Sequence, residues 1–154
     1  KYSIMPMRGH YNVTGSGEVF AWQFGFPYSV DLTRGFARYN PGDSSSVDLL
    51  TRGEVDAMFT IGSDPGAHFP ISAVKGIAKV DSVCIDPHMT PTSGVSKLHV
   101  PVAFNGVECG GNCYRMDNVP IDCRKVVEPP EGMLTDQEFL TMVLDRLKKL
   151  KGVA

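Results

Sequence analysis

Apolar residues recur at helical spacing near the end of the chain, at Phe139, Leu140, Val143, Leu144, Leu147 and Leu150. With charged residues between them, that period predicts an amphipathic helix over 136–150. Thr135-Asp-Gln-Glu138 stands directly ahead of it. This is a capping box, in which the Thr hydroxyl and the Glu carboxylate satisfy the first backbone donors of a helix. Lys148, Lys149 and Lys151 gather in the last turn, where positive charge complements the carbonyl end of the helix dipole. Pro129-Pro130 reads as a stiff lead into this segment.

The middle of the chain has a different rhythm. Val55–Ile61 and Val80–Ile85 are apolar runs of strand length, the first closed by Gly62-Ser63-Asp64-Pro65-Gly66 and the second by Asp86-Pro87. Helical patterns precede and separate them: Val47, Leu49 and Leu50 up to Gly53, then Ile71, Val74 and Ile77 within 70–78. Runs with few polar residues, alternating with helices, predict a parallel sheet covered on both faces. The fold class that follows is α/β, a Rossmann-like three-layer αβα arrangement with a mostly parallel sheet. A further helix is expected over Gly17–Phe24, and short extended pieces at Leu98–Pro101 and Cys113–Met116. No repeat or linker divides the chain, so residues 1–154 read as a single domain, with 132–154 forming the carboxy-terminal helix.

Composition narrows the classes. Lys and Arg number 15 against 17 Asp and Glu, a net charge of −2, which argues against a sequence-independent nucleic-acid surface. No apolar run approaches the roughly 18–20 residues that cross a bilayer, so no membrane partner is expected. Glycine and proline reach 16 and 11 residues, an excess that lies in specific turns and lacks the period of a fibrous or low-complexity chain. The start at Lys1 leads to the expectation that the sequence is a piece of a longer polypeptide. Cys84 sits in an apolar run and reads as core, while Cys109-Gly-Gly-Asn-Cys113 lacks the C-x2-C spacing of a zinc ribbon. The aromatic-rich stretch 20–39 is more than a small domain readily buries, which points to a partner surface.

Candidate chemistry lies at the two strand ends, because ligands of open parallel sheets bind beyond the carboxyl ends of the strands. Glycines at Gly62 and Gly66 let backbone N–H groups approach a phosphate. Asp86, 24 residues past Gly62, suits a ribose hydroxyl or the N–H edge of a nucleobase, with Thr90 and Thr92 beside it. Neither G-x-G-x-x-G nor G-x-x-x-x-G-K-[ST] is present, so free NAD or ATP is not the expected ligand. The same spacing also fits an ordinary strand-to-helix turn and strand stop.

Several longer blocks are more specific. Arg8-Gly-His-Tyr-Asn12-Val-Thr-Gly15, Gly25-Phe-Pro-Tyr28, Arg38-Tyr-Asn-Pro-Gly42, Gly62-Ser-Asp-Pro-Gly-Ala-His-Phe-Pro70, Asp86-Pro-His-Met-Thr-Pro-Thr92 and Tyr114-Arg-Met-Asp-Asn-Val-Pro-Ile121 together resemble the catalytic B subunit of formylmethanofuran dehydrogenases, in that family's order. The resemblance implies a place in the molybdopterin oxidoreductase superfamily, as the carboxy-terminal part of a longer subunit. It implies a molybdopterin guanine dinucleotide carrying tungsten or molybdenum, with an iron–sulfur cluster confined to an amino-terminal part. By it, Gly62, Ser63, Asp64 and Pro65 lie against phosphate or ribose, and Asp86, Thr90 and Thr92 at the guanine edge. Arg8, Gly9, Asn12, Arg115 and Asp117 then face the pterin. No catalytic residue and no metal ligand are expected within this chain, which alone should be inactive. The implied setting is cytoplasmic and archaeal, the partners are the other subunits of the complex, and the substrates are CO2 and methanofuran, interconverted with formylmethanofuran. Two rival readings share the blocks: a non-redox subunit of a formyltransferase/hydrolase complex, and a subunit-assembly domain.

Overall fold

The computed structural model describes Tyr2, Ile4 and residues 9–152. The amino-terminal elements are α1 (Val13–Phe24), β1 (Val30–Asp31), β2 (Arg38–Tyr39) and α2 (Ser46–Arg52). The central ones are β3 (Ala57–Ile61), α3 (Pro65–His68), α4 (Ile71–Ile77), β4 (Asp81–Ile85), α5 (Pro91–Val95) and β5 (Leu98–Val100). Then come β6 (Gly111–Tyr114), β7 (Pro120–Cys123) and α6 (Asp136–Lys151).

The two apolar runs become β3 and β4, paired in parallel with Met58 beside Ser82 and Thr60 beside Cys84. β5 continues the sheet in parallel, Cys84 beside His99, in the order β3-β4-β5. Leu50, Ala73 and Ile77 form a buried cluster with Val47, Val55, Met58, Phe69 and Val95 around it. Helices α2, α4 and α5 therefore cover the sheet face that carries Met58. Helices α2 and α4 approach closely because a side chain is missing between them. A Cβ on Gly76 would stand 2.6 Å from the Leu50 carbonyl oxygen. The fold class is Rossmann-like α/β, with a three-stranded parallel sheet and two separate antiparallel ribbons, β1–β2 and β6–β7.

Coverage differs from expectation along β3. Its side chains alternate, and Phe59 and Ile61 remain 50% and 43% exposed. β3 is the sheet's edge among the described residues, and these two side chains lie on the face opposite Met58. Helix α1 starts four residues before the expected Gly17. Gly15 and Gly17 in its first turns lower intrinsic helix propensity, yet both are buried, Gly15 beneath the Asn12 side chain. The short helix α5 is a further difference, since no apolar period announces it. Thr90 caps it reciprocally with Ser93, and Pro91 occupies its first turn. The C-terminal helix appears as expected, with the Thr135–Glu138 capping box and Gly152 as its carboxyl cap. None of its side chains is fully buried.

Candidate functional site

The carboxyl ends of β3 and β4 open into a cavity of about 200 Å³ lined by Ile61, Gly62, Ile85, Asp86, Pro87 and His88 on the sheet side. Val102, Ala103, Phe104, Asn105, Tyr11 and Asp136 close it from the other. A second cavity of about 230 Å³ adjoins it and shares Tyr11, Asn105 and Asp136. Asn12, Cys109, Gly110, Gly111 and Asn112 complete that second lining, with the first turn of α6.

Asp86 is buried and firmly held. Its Oδ1 accepts the His88 backbone N–H at 2.9 Å, its own N–H donates to the Val100 carbonyl at 3.3 Å, and its carbonyl meets His99 Nε2 at 2.9 Å. No hydrogen bond engages its Oδ2 among the described residues, which leaves one carboxylate oxygen for an N–H donor in the cavity. Gly62 turns the chain at φ +53°, a conformation that favours glycine, and a Cβ there would meet nothing within 4 Å. The cavity wall is thus apolar over the sheet and acidic at Asp86 and Asp136. That chemistry suits a flat, N–H-bearing heterocycle better than a bare phosphate.

The neighbouring loops are braced to each other. Asp64 Oδ1 accepts both the Thr92 N–H at 2.9 Å and the Thr92 hydroxyl at 2.6 Å, while Thr92 Oγ1 accepts the Gly66 N–H at 2.7 Å. Gly66 must be glycine here, because a Cβ would lie 2.6 Å from the Thr92 nitrogen. The segment before α1 then straps across the site. The Asp64 N–H donates to His10 Nε2 at 3.4 Å, His10 packs edge-on against His68 at 5.2 Å, and Tyr11 enters both cavities. Asn12 continues to β6, its Oδ1 accepting the Tyr114 N–H at 2.8 Å and its Nδ2 donating to the Asn112 carbonyl at 3.4 Å.

No family model matches the chain. It is 53% identical over 150 residues to the B subunit of the tungsten-containing formylmethanofuran dehydrogenase 2 of Methanocaldococcus jannaschii, covering 97% of this chain and 34% of that protein. The subunit of the same name in Methanococcus maripaludis is 50% identical over 151 residues, 98% of this chain and 35% of that protein. The chain is homologous to the B subunit of formylmethanofuran dehydrogenases. It spans about a third of the length of these curated relatives. A chain in the crystal structure of the formyltransferase/hydrolase complex of Methylorubrum extorquens, solved with methylofuran, superposes with a TM-score of 0.68. That match covers 93% of this chain and 39% of the other at 18% identity, and it speaks to fold alone.

Among the residues that the formylmethanofuran dehydrogenase resemblance assigns to the cofactor, Gly62 and Asp86 meet in one cavity and Asn12 lines the next. Ser63, Asp64 and Thr90 stand in the strand-end loops, and Pro65 and Thr92 in the first turns of α3 and α5, all outside both linings. Thr92 is fully buried and its hydroxyl is engaged by Asp64 and Gly66, whereas Thr90 caps α5. Arg115 and Asp117 lie apart from the cavities on the β6–β7 turn and clasp each other through Nε–Oδ1 at 2.7 Å and Nη2–Oδ2 at 2.6 Å. Arg115 holds the Asp117 carboxyl below its ordinary range. Gly9 is exposed beside the strap and outside both linings, and Arg8 falls outside the described residues.

The three residues common to both linings, Tyr11, Asn105 and Asp136, are ones the sequence does not point to. Tyr11 lies inside one of the specific blocks, between Gly9 and Asn12. Asn105 donates to Asp136 Oδ2 at 3.1 Å, so the loop after β5 and the start of α6 form one wall. Among the described residues no group of three or more His, Cys, Asp or Glu side chains is placed to hold a metal ion, and no helix is long and apolar enough to cross a membrane.

Proposed function

We propose that this chain forms a carboxy-terminal, cofactor-binding part of the catalytic subunit of a formylmethanofuran dehydrogenase. Its ligand is a molybdopterin guanine dinucleotide carrying tungsten or molybdenum. The parent reaction is the reversible reduction of CO2 with methanofuran to formylmethanofuran, carried out together with the other subunits of the complex.

The observation that carries this reading is the Asp86 carboxylate in the cavity at the strand ends, with one oxygen held by His88 N–H and the other turned to no hydrogen-bond donor among the described residues. A guanine presents adjacent N–H donors on one edge, and a carboxylate acceptor at the foot of an apolar slot matches them. The two joined cavities, walled by Tyr11, Asn105 and Asp136, offer an elongated ligand more room than a mononucleotide needs. Gly62 adds backbone that a ligand approaches without meeting a side chain.

When bound, the metal-bearing pterin supplies the two-electron chemistry between CO2 and formate. The residues here bind and orient. Asp86 fixes the heterocycle edge, the Asp64–Thr92 brace holds both strand ends at a constant separation, and the His10–Tyr11–Asn12 strap closes the site toward β6.

The test is Asp86→Asn in the whole subunit, assembled in its complex. This change preserves the acceptor for His88 N–H and alters only the outward oxygen. Bound guanine dinucleotide, released and quantified per subunit at limiting supply, should fall about tenfold, equivalent to about 1.4 kcal/mol. Unchanged cofactor content with an intact fold would overturn the reading. Metal and pterin quantification of the unmodified subunit separates it from a non-redox homologue.

A further inference from the structure

Two of the four cysteines lie beside the cavities and are not used by the reading above. Cys113 in β6 and Cys123 in β7 sit two registers apart across the antiparallel ribbon, Cys113 opposite Ile121 and Cys123 opposite Gly111. Their sulfurs are 3.3 Å apart, inside ordinary van der Waals contact. The Tyr11 hydroxyl, more than 100 residues away in sequence, donates to Cys123 Sγ at 3.6 Å. Gly106 backs this cluster closely. A Cβ there would stand 3.7 Å from the Tyr11 hydroxyl and 3.8 Å from Cys123 Sγ. The other two cysteines are placed differently: Cys84 is buried in β4, and Cys109 is buried with its sulfur 2.9 Å from Asn105 Oδ1.

We infer that Cys113 and Cys123 form a redox-responsive dithiol whose closure to a disulfide releases Tyr11 from the wall shared by the two cavities. The sulfurs must approach by about 1.3 Å to reach the disulfide bond length. Both cysteines lie on a short ribbon whose side chains are mostly exposed, so that approach displaces little packed structure. The oxidant is a disulfide of low molecular weight. One cysteine, as its thiolate, attacks a sulfur of that molecule, forming a mixed disulfide and expelling one small thiol. The second cysteine then attacks the mixed disulfide at the protein sulfur, forming the Cys113–Cys123 bond and expelling the second small thiol. Two protons and two electrons leave the cysteine pair and end on the two small thiols. Burial pushes the Cys113 thiol above its ordinary range, so it rests protonated at neutral pH and the pair responds slowly, through a small thiolate fraction.

Tyr11 reports the state. Although half of its surface is exposed, its hydroxyl end is turned inward, and burial followed by the bond to Cys123 pushes its phenol well above the ordinary range. In the disulfide, the accepting Cys123 sulfur is drawn toward Cys113 and away from an already long contact with the Tyr11 hydroxyl, so Tyr11 loses this partner.

The experiment equilibrates the native protein in buffers of reduced and oxidised glutathione, quenches with an alkylating agent and maps the cysteines by mass spectrometry. A Cys113–Cys123 linkage is expected to accumulate while Cys84 and Cys109 stay alkylatable on unfolding. The alkaline titration of Tyr11, taken as the absorbance difference between the native protein and Tyr11→Phe, should then move to lower pH. Cys113→Ser and Cys123→Ser should each abolish the linkage and leave the remaining thiol as a mixed disulfide. Free Cys113 and Cys123 at every redox poise would overturn the inference. So would linkage through Cys84 or Cys109 at the same poise, or a Tyr11 titration identical in the two states. None of these results depends on whether the cofactor binds.

Discussion

The parallel sheet and the β6–β7 ribbon border the same cavities but are held together in opposite ways. The sheet is stabilised by dry packing: Ile77 and Ala73 are fully buried against Leu50, and the strands pair in register over five residues. The ribbon is mostly exposed and is attached to the rest at a few points: Asn12, whose side chain satisfies β6 backbone groups about 100 residues away, the Tyr11 hydroxyl on Cys123, and Trp22 edge-on against Tyr114. Burial spreads a load over many small contacts, whereas point attachments concentrate it in a few. The first tolerates little change in volume; the second weakens when one attachment is lost.

That contrast is open to three tests. The largest effect belongs to Ile77→Ala, which should lower global stability by about 3 kcal/mol through loss of burial and the cavity left behind. Denaturant unfolding checks it, and every region should lose protection together. Asn12→Ala should be smaller and local. It strips the Tyr114 N–H of its acceptor, so that amide should exchange faster by about tenfold, about 1.4 kcal/mol, with Thr60 and Cys84 amides unaffected. Equal acceleration in sheet and ribbon would show one cooperative unit and end the distinction.

The smallest expected effect lies in the other ribbon, β1–β2. Asp31 is held at a pKa of about 2, below the usual 3.8, by the Thr33 hydroxyl and N–H and then by Arg38. Its contribution is present above the unfolded value, near pH 4, and is lost as pH falls toward 2. The unfolding midpoint of Asp31→Asn should therefore lack the part of the acid dependence between about pH 4 and 2 that the native protein shows.

The same contrast explains what can be read from the chain alone. Val55–Ile61 and Val80–Ile85 announce strands because each is an apolar run of strand length closed by turn residues, although Phe59 and Ile61 stay about half exposed, and Gly62 and Asp86 are found by asking where those runs stop. The capping box ahead of α6 is legible for a similar reason, since Thr135 and Glu138 act over three residues. Tyr11, Asn105 and Asp136 leave no such mark. They come from three segments without common period, brought together by the strap and by the Asn105–Asp136 bond. The start of α1 is hidden because Asn12 folds over Gly15, where a Cβ would fall 2.3 Å from its Oδ1. A glycine that looks like a helix breaker is there to admit a side chain. β7 escapes notice because its strand residues, Pro120–Cys123, carry no alternation of their own and are defined by pairing with β6.

Helix α6 has one consequence beyond its own stability. Sixteen residues at 1.5 Å each make an arm about 24 Å long, tied at its base through Asp136 to Asn105 and through the Leu134 carbonyl to Ala103. Beyond the base, Met142, Leu144, Leu147 and Leu150 face outward. A tilt of about 5° sweeps the far end by about 2 Å while barely displacing Asp136. The arm is thus a reducing lever: large excursions at its tip reach the cavity wall as small, graded adjustments.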